Sequence, residues 1–332
     1  MAKSSTESAE DRLIARYFRP LATHPGAFGL GDDAAAITPP PGCDLVLKTD
    51  GVIAGVHFFA DDPPQTIGRK ALRMNLSDLA AKGAKPAGFL LSLALPAGTD
   101  AAWIAAFAAG LGEDAARYGC PLLGGDTDHT PGPTSVSIAA FGTVPHGEMV
   151  RRSTGKPGDC VMVTGTIGDG ALGVKLRRDA SLGKSWRLTE AMAADLEQRY
   201  LLPQPRNALA ETVLHHATSA IDVSDGLAGD LAKLTRASSV AAEIDVARVP
   251  LSDAARAALA AAPALIETVL SGGDDYEIVL TLAPDRVGDF RIAAKAAGVA
   301  VTEIGHVRDG EGVSFLHDGK ALMFARPSYS HF

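Results

Sequence analysis

At 332 residues the chain exceeds one ordinary core, which favours two domains, and its 46% hydrophobic and 21% charged residues are those of an ordered globular protein. A formal net charge of -8 argues against a general nucleic-acid binder, which needs clustered Lys and Arg to neutralise phosphates. The start MAKSSTESAEDRL has no apolar core and no later run approaches the roughly 18 uncharged apolar residues of a membrane span, so a cytoplasmic protein with no membrane partner is expected.

In chain order, EDRLIARYF (10–18) carries apolar residues at helical spacing, and DLVLKTDGV (44–52) is a short apolar strand running into polar residues. PQTIGRKALRMNLSDLAAK (64–82) predicts a long helix with Ile67, Ala71 and Met74 on one side and Asp78 projecting from it. GFLLSLALP (88–96) predicts a buried strand, and DAAWIAAFAAGLGEDAARYG (100–119) a helix stopped by Gly119. PLLGGDTD then reads as a strand entering a Gly turn, and TSVSIAAFGTV (134–144) as another strand. HGEMVRRSTGKPGD (146–159) is rich in turn residues and marks the expected boundary between domains 1–145 and 146–332.

The second half opens with CVMVTGTIGDGALG, a strand, Gly turn and helix start, followed by a helical 187–201. SAIDVSDGLAGDLAKLTRAS (219–238) predicts strand, tight turn and helix, with Ser224 or Asp225 at the N-cap. IETVLSGGDDYEIVLTL (266–282) reads as strand, Gly turn, strand, and the stretch from Val301 predicts a hairpin pair or short strands. Cys43, Cys120 and Cys160 lie too far apart for a CxxC site or a disulfide framework and are expected to be reduced packing residues.

A recurring device is an apolar segment that ends in acids: Asp33, Asp50, Asp78, Asp126, Asp222 and Asp225, three of them directly beside glycine. Two like charges 4 Å apart repel by about 1 kcal/mol in water and about four times that at an effective dielectric of 20, so a converging set needs cations. All-oxygen donors point to a hard ion such as magnesium, and magnesium takes only one or two carboxylates each together with substrate phosphates. Several ions and a polyphosphate such as ATP follow. No GxxxxGK[ST] loop occurs, and an EF-hand begun at Asp222 would place Lys233 where a Glu is required. Gly168-Asp-Gly170-Ala-Leu-Gly173 matches GxGxxG, but alone it is read as a tight turn with close helix packing.

Together FGLGDDAA, KTDGVIAGVHF, KALRMNLSDLAAKGAKP, LLGGDTD, RRSTGKPGD, VTGTIGDGALG, AIDVSDGL, SGGDDYE and the final SHF resemble the thiamine-monophosphate kinases of the aminoimidazole ribonucleotide synthetase superfamily, from about Leu13 to Phe332. The resemblance implies a two-domain α/β (α+β), PurM-like fold. Its N-terminal domain, with a mixed or antiparallel sheet, would bind ATP and metal and form a homodimer, and a larger C-terminal α/β domain would complete the active-site cleft. It implies in-line transfer of the γ-phosphoryl of ATP to thiamine monophosphate, giving thiamine diphosphate and ADP without a phosphoenzyme, with several Mg2+ ions. Carried over by position, the metal ligands are Asp33, Thr49, Asp50, Asp78, Asp126, Asp222 and Asp225, of which Asp50, Asp126 and Asp222 are the catalytic set. Gly125, Asp126, Arg152, Ser224 and Tyr118 correspond to nucleotide contacts, and His57, Asp274 and Tyr329 to substrate contacts.

Two departures stand out: Lys48 occupies a position where relatives carry a small hydroxyl near a metal, and Arg326 lies where an aromatic is expected. Sister enzymes of the superfamily remain as alternatives. A selenophosphate synthetase would need a reactive Cys or selenocysteine in the FGLGDD loop, and a hydrogenase-maturation dehydratase would end in Cys rather than His331-Phe332. An aminoimidazole ribonucleotide synthetase-like ligase is the runner-up, followed by a non-catalytic nucleotide- or metal-binding module.

Overall fold

A computed structural model describes residues 8–325 and Ser328. The chain divides into two compact units, Met1–Leu76 with Pro86–His146, and Ser77–Lys85 with Gly147–Phe332.

The first unit holds a four-stranded sheet in the order β1 (Cys43–Ile53), β4 (Ser135–Pro145), β2 (Lys85–Pro96), β3 (Leu122–Thr130). β1 runs antiparallel to β4, with Leu47 opposite Phe141 and Thr49 opposite Ala139, while β2 and β3 are parallel. Strand alternation gives the sheet two different faces. Val46, Val136, Ile138, Ala140, Leu91 and Leu93 are buried, whereas Leu45 and Leu47, on the opposite face, are 37% and 68% exposed. Two helices supply buried apolar residues to this unit. Pro64–Ala81 contributes Ile67, Leu72 and Leu76, and Ala101–Arg117, N-capped by Asp100, contributes Phe107 and Leu111. They are pinned together by a buried ion pair in which Arg73 donates to both oxygens of Asp114 at 2.5 and 3.0 Å. Ahead of the sheet, 10–18 is less regular than its periodicity predicts: an α-turn at Ala9–Leu13 passes into a π-turn at Ile14–Phe18.

The second unit is built on a seven-stranded sheet: β5 (Cys160–Thr164), β6 (Ser219–Val223), β7 (Ala241–Asp245), β8 (Glu277–Leu282), β9 (Val301–Arg308), β10 (Gly312–His317) and β11 (Lys320–Ala321). Their order is β11-β10-β7-β9-β5-β8-β6, antiparallel throughout except for β10 with β7. β5, β6 and β8 are buried nearly end to end, the pattern of strands covered on both faces. One core gathers Val161, Val163, Ile221, Leu227 and Val279. A second gathers Met162, Ala220, Ile278, Leu280 and Phe290 and also takes in Ala80 and Ala81, which explains why Ser77–Lys85 groups with this unit. Lys82 ties the segment down by donating to the Ala220 carbonyl at 2.6 Å.

Three local expectations are corrected. Gly124 and Gly125 lie inside β3 rather than in a turn after it. The stretch read as a strand from 266 is a helix, Leu265–Ser271, whose Val269 and Leu270 are fully buried, so tertiary packing overrides the β-branched composition. The helix Leu227–Ser238 starts from Gly226, with no side-chain cap from Ser224 or Asp225. Near the end, β10 forms a hairpin with β11, while β9 and β10 are separated by β7. All three cysteines are free, and burial pushes the Cys120 thiol up to about 12.

Candidate active site

In the first unit a groove of about 910 Å³ is lined by Asp32 and Asp33 from the loop after Leu30, by Thr49 and Leu47 on β1, and by Gly125 and Asp126 on β3. Four residues singled out from sequence, Asp33, Thr49, Gly125 and Asp126, therefore share one surface. β3 must lie very close to β2 to bring Asp126 there: a Cβ on Gly125 would fall 1.8 Å from the Leu91 carbonyl oxygen. Glycine at this position serves a close approach of two strands.

Asp50 alternates to the other face of β1 from Thr49 and is not a groove-lining residue. Its amide donates to the Asn75 side chain at 3.0 Å, and Lys48, two residues back on the same face, places its ammonium 3.1 Å from the Asp50 carboxylate. The departure at Lys48 thus puts a cation beside a proposed metal ligand. His57 sits in the loop after β1, where its Nδ1 accepts the Ile53 amide at 3.1 Å. In the neutral ring that bond leaves the proton on Nε2, a donor rather than an acceptor. Tyr118 caps the helix Ala101–Arg117 and lies under the Arg73 and Arg117 guanidinium groups, 5.8 and 5.4 Å from its ring centre. Burial, opposed by those arginines, raises its hydroxyl pKa. Tyr118 is not among the groove-lining residues.

In the second unit, Asp222 is buried at 4% exposure one residue before the end of β6. The following loop carries Ser224 and Asp225 and is zipped to the SGGDDYE loop: Asp274 donates its amide to the Ser224 carbonyl at 3.0 Å, and Tyr276 to that of Val223 at 2.8 Å. Asp274 and Tyr276 both take left-handed φ, 74° and 52°, a conformation costing non-glycine residues about 1–3 kcal/mol each. Gly226 (φ 103°) lets the two loops touch, since a Cβ there would meet the Ser271 carbonyl carbon at 2.5 Å.

The GxGxxG stretch joins this junction but leaves two of its glycine amides no phosphate to hold. Those of Gly168 and Gly170 donate to the buried carboxyl of Asp275 at 2.7 and 3.0 Å, so a protein side chain occupies the place of a ligand. Burial drives the Asp275 pKa well up, against those two hydrogen bonds and Arg199. Next along, fully buried Glu277 accepts from Arg199 and Thr164 at 2.7 Å each and from Arg206 Nε at 2.6 Å. Burial would raise its pKa, but the two arginines and the threonine outweigh it and hold the carboxyl below its usual range.

Arg152 lies exposed in the 146–159 loop, its carbonyl held by the Ser238 hydroxyl at 2.8 Å. Asp78 is half-buried on the helix Pro64–Ala81, in the segment that belongs to the second unit. Tyr329 and Arg326 lie outside the described residues. Among the described residues no three His, Cys, Asp or Glu side chains stand close enough together to hold a metal by themselves. The donors available are oxygens on an open groove and on loops, which suits magnesium, an ion that completes its shell with water and phosphate.

Sequence reasoning passed over Asp32, Asp230, Lys233 and Asp275. Asp230, on the first turn of Leu227–Ser238, accepts the amides of Ser224 and Asp225, and its burial lifts its pKa to about 6 against the pull of Lys233. The signal was an acid just inside a helix that lacks a capping side chain.

The chain matches two family models: AIR synthase related protein, N-terminal domain, over residues 31–144, and AIR synthase related protein, C-terminal domain, over 156–318. It is 45% identical to the thiamine-monophosphate kinase of Caulobacter vibrioides over 99% of this chain and 93% of the relative. Among solved structures, the thiamine-monophosphate kinase of Stenotrophomonas maltophilia superposes with a TM-score of 0.82 at 38% identity, covering 94% of this chain and 96% of that one. AaThiL, complexed with AMPPCP and TMP, superposes with a TM-score of 0.77 at 30% identity, covering 92% and 97%. With matches along nearly its whole length and a two-domain PurM-like fold, the chain belongs to the thiamine-monophosphate kinase family of AIR synthase related proteins.

Proposed function

We infer that the chain transfers the γ-phosphoryl group of ATP to thiamine monophosphate, forming thiamine diphosphate and ADP in the last step of thiamine diphosphate biosynthesis. It is a kinase whose acceptor is itself a phosphate. The observation that carries the site assignment is the meeting of Asp33, Thr49, Gly125 and Asp126 on one groove in a chain of this family. The solved relative complexed with AMPPCP and TMP supports the same pair of substrates.

Phosphoryl transfer passes through a loose transition state, so the protein's part is to position donor and acceptor in line and to offset charge. Asp33, Thr49, Asp50, Asp78, Asp126, Asp222 and Asp225 are the proposed magnesium ligands, with Asp50, Asp126 and Asp222 the catalytic set. Magnesium, when bound there, supplies the positive charge that neutralises the transferring group. Gly125, Arg152, Ser224 and Tyr118 are the proposed nucleotide contacts. His57, whose Nδ1 is taken by the Ile53 amide, and Asp274, held at a left-handed φ, are the proposed substrate contacts, Asp274 toward the cationic thiazolium. Tyr329 is proposed to stack on that ring. Residues 1–145 form the ATP, metal and dimer domain in this reading and 146–332 the domain that completes the site.

The reading also holds the enzyme to be a cytoplasmic homodimer with no nucleic-acid or membrane partner. Net charge -8 supports the lack of a nucleic-acid partner, and among the described residues no helix is long and apolar enough to cross a membrane. The dimer is proposed to form through the sheet of the first unit, whose exposed apolar Leu45 and Leu47 on β1 also line the groove, so that the partner would border the site. Leu47→Lys is expected to turn the dimer into a monomer in sedimentation velocity, since it puts an unpaired charge into the proposed apolar contact.

Thermal unfolding tests the substrate pair. With magnesium, a non-hydrolysable ATP analogue and thiamine monophosphate are each expected to raise the midpoint, because ligand bound only to the folded state stabilises it. No response to thiamine monophosphate, with or without the nucleotide, would contradict the proposal.

A further inference from the structure

Between β6 and the helix Leu227–Ser238 the backbone must turn through Ser224, Asp225 and Gly226, and the helix offers no side-chain N-cap from these residues. One carboxylate from inside the helix does that work. Asp230 is 1% exposed, and its Oδ2 accepts both the Ser224 amide at 3.0 Å and the Asp225 amide at 2.8 Å. Its other oxygen, Oδ1, takes the Lys233 ammonium at 2.8 Å. The same ammonium reaches the Asp225 carboxylate at 2.5 Å, so one lysine bridges an anchoring acid and an acid of the loop. The two acids differ in their freedom to exchange partners, since the Asp225 side chain is 36% exposed and that of Asp230 1%.

We propose that Asp230 is a positioning residue that fixes the backbone of Ser224 and Asp225, and that Lys233 is the built-in counter-ion of Asp225, which magnesium must displace when it binds. This inference rests on the reading of Ser224 as a nucleotide contact and Asp225 as a metal ligand. Asp230 itself touches neither ligand. Fixing two consecutive amides on one oxygen removes the rotation that would swing the Asp225 carboxylate and the Ser224 hydroxyl away from a phosphate-bound ion, and so lowers the cost of ordering the loop at binding. Lys233 acts in the opposite sense on affinity: it keeps Asp225 compensated in the metal-free protein and competes with the incoming cation.

The two side chains therefore have opposite signatures. Asp230→Asn retains size but loses the charge that binds both amides and the lysine. In the metal-free protein, hydrogen exchange at the Ser224 and Asp225 amides is expected to quicken about tenfold or more, and calorimetric affinity for magnesium with a non-hydrolysable ATP analogue to fall by a similar factor. Lys233→Met leaves the two amide bonds in place. It is expected to tighten that magnesium-dependent binding by about three- to fivefold, while lowering the unfolding midpoint because Asp230 loses its cation.

A merely structural role would not give a less stable protein that binds the metal-nucleotide more tightly. Unchanged amide exchange and affinity in folded Asp230→Asn overturn the positioning role, and unchanged or weaker binding in Lys233→Met overturns the counter-ion role. Should Asp230→Asn not fold, Asp230→Glu, which keeps the acceptor on a longer arm, is expected to show the same faster exchange to a lesser degree, and wild-type exchange there overturns the proposal. A wild-type protein that binds the metal-nucleotide yet makes no thiamine diphosphate would sink the kinase reading alone, because exchange and affinity still decide the roles of Asp230 and Lys233.

Discussion

Asp222→Asn is expected to lower the turnover number for thiamine diphosphate formation by about three orders of magnitude while the protein remains folded. The substitution keeps the shape of the side chain and the β6–β8 pairing, in which Asp222 faces Ile278, but removes the negative charge at the strand end. A loose phosphoryl transfer depends almost wholly on placed charge, so the loss falls on the chemical step more than on substrate affinity. Steady-state kinetics at saturating magnesium, with circular dichroism as the control for folding, is the check. A variant within tenfold of wild type would remove Asp222 from the catalytic set.

The largest stability effect is expected at Glu277. Glu277→Gln leaves Arg199 and Arg206 facing a neutral amide inside the second unit, and breaking a buried pair by removing one partner typically costs about 3–5 kcal/mol. Urea unfolding should show that loss near neutral pH. The pH dependence has a definite sign. The folded-state pKa of Glu277 is depressed below its usual 4.5, so its contribution is present above that value and disappears as the pH falls through the folded-state value. Wild type and Glu277→Gln should therefore converge in stability only in acid. Equal stability at neutral pH would mean that Thr164 and backbone pairing hold β8 without the charge.

The β5 and Pro64–Ala81 elements were legible because burial writes a plain signature: a continuous apolar run, Cys160 to Val163, for a covered strand and a one-sided pattern for a helix. The acids stood out for the same reason, as polar ends on apolar segments. What sequence spacing did not carry was mutual geometry. Gly125 reads as a turn residue until the Leu91 carbonyl is seen against it, and Leu265–Ser271 reads as a strand until Val269 and Leu270 are placed in the core. The GxGxxG stretch, read as a tight turn with close helix packing, turns at Gly168 and continues as the helix Asp169–Arg178, where a Cβ on Gly173 would meet the Leu196 carbonyl, though only the structure shows that Asp275 takes the Gly168 and Gly170 amides. The interlocking of the Ser224 and Asp274 loops joins positions 50 residues apart in sequence, which no local period can reveal. Asp230 was hidden because it acts backwards from within a helix, where an acid on the first turn looks like ordinary dipole compensation.

The most direct test is the product itself: purified protein with ATP and magnesium, supplied in separate reactions with thiamine monophosphate, free thiamine or formylglycinamidine ribonucleotide, with thiamine diphosphate and ADP both quantified. Thiamine diphosphate formed from the monophosphate in equal amount to ADP, with no turnover of the ribonucleotide, is the expected result. ADP released only with the ribonucleotide, or no thiamine diphosphate from the monophosphate under conditions where the metal-nucleotide binds, would contradict it.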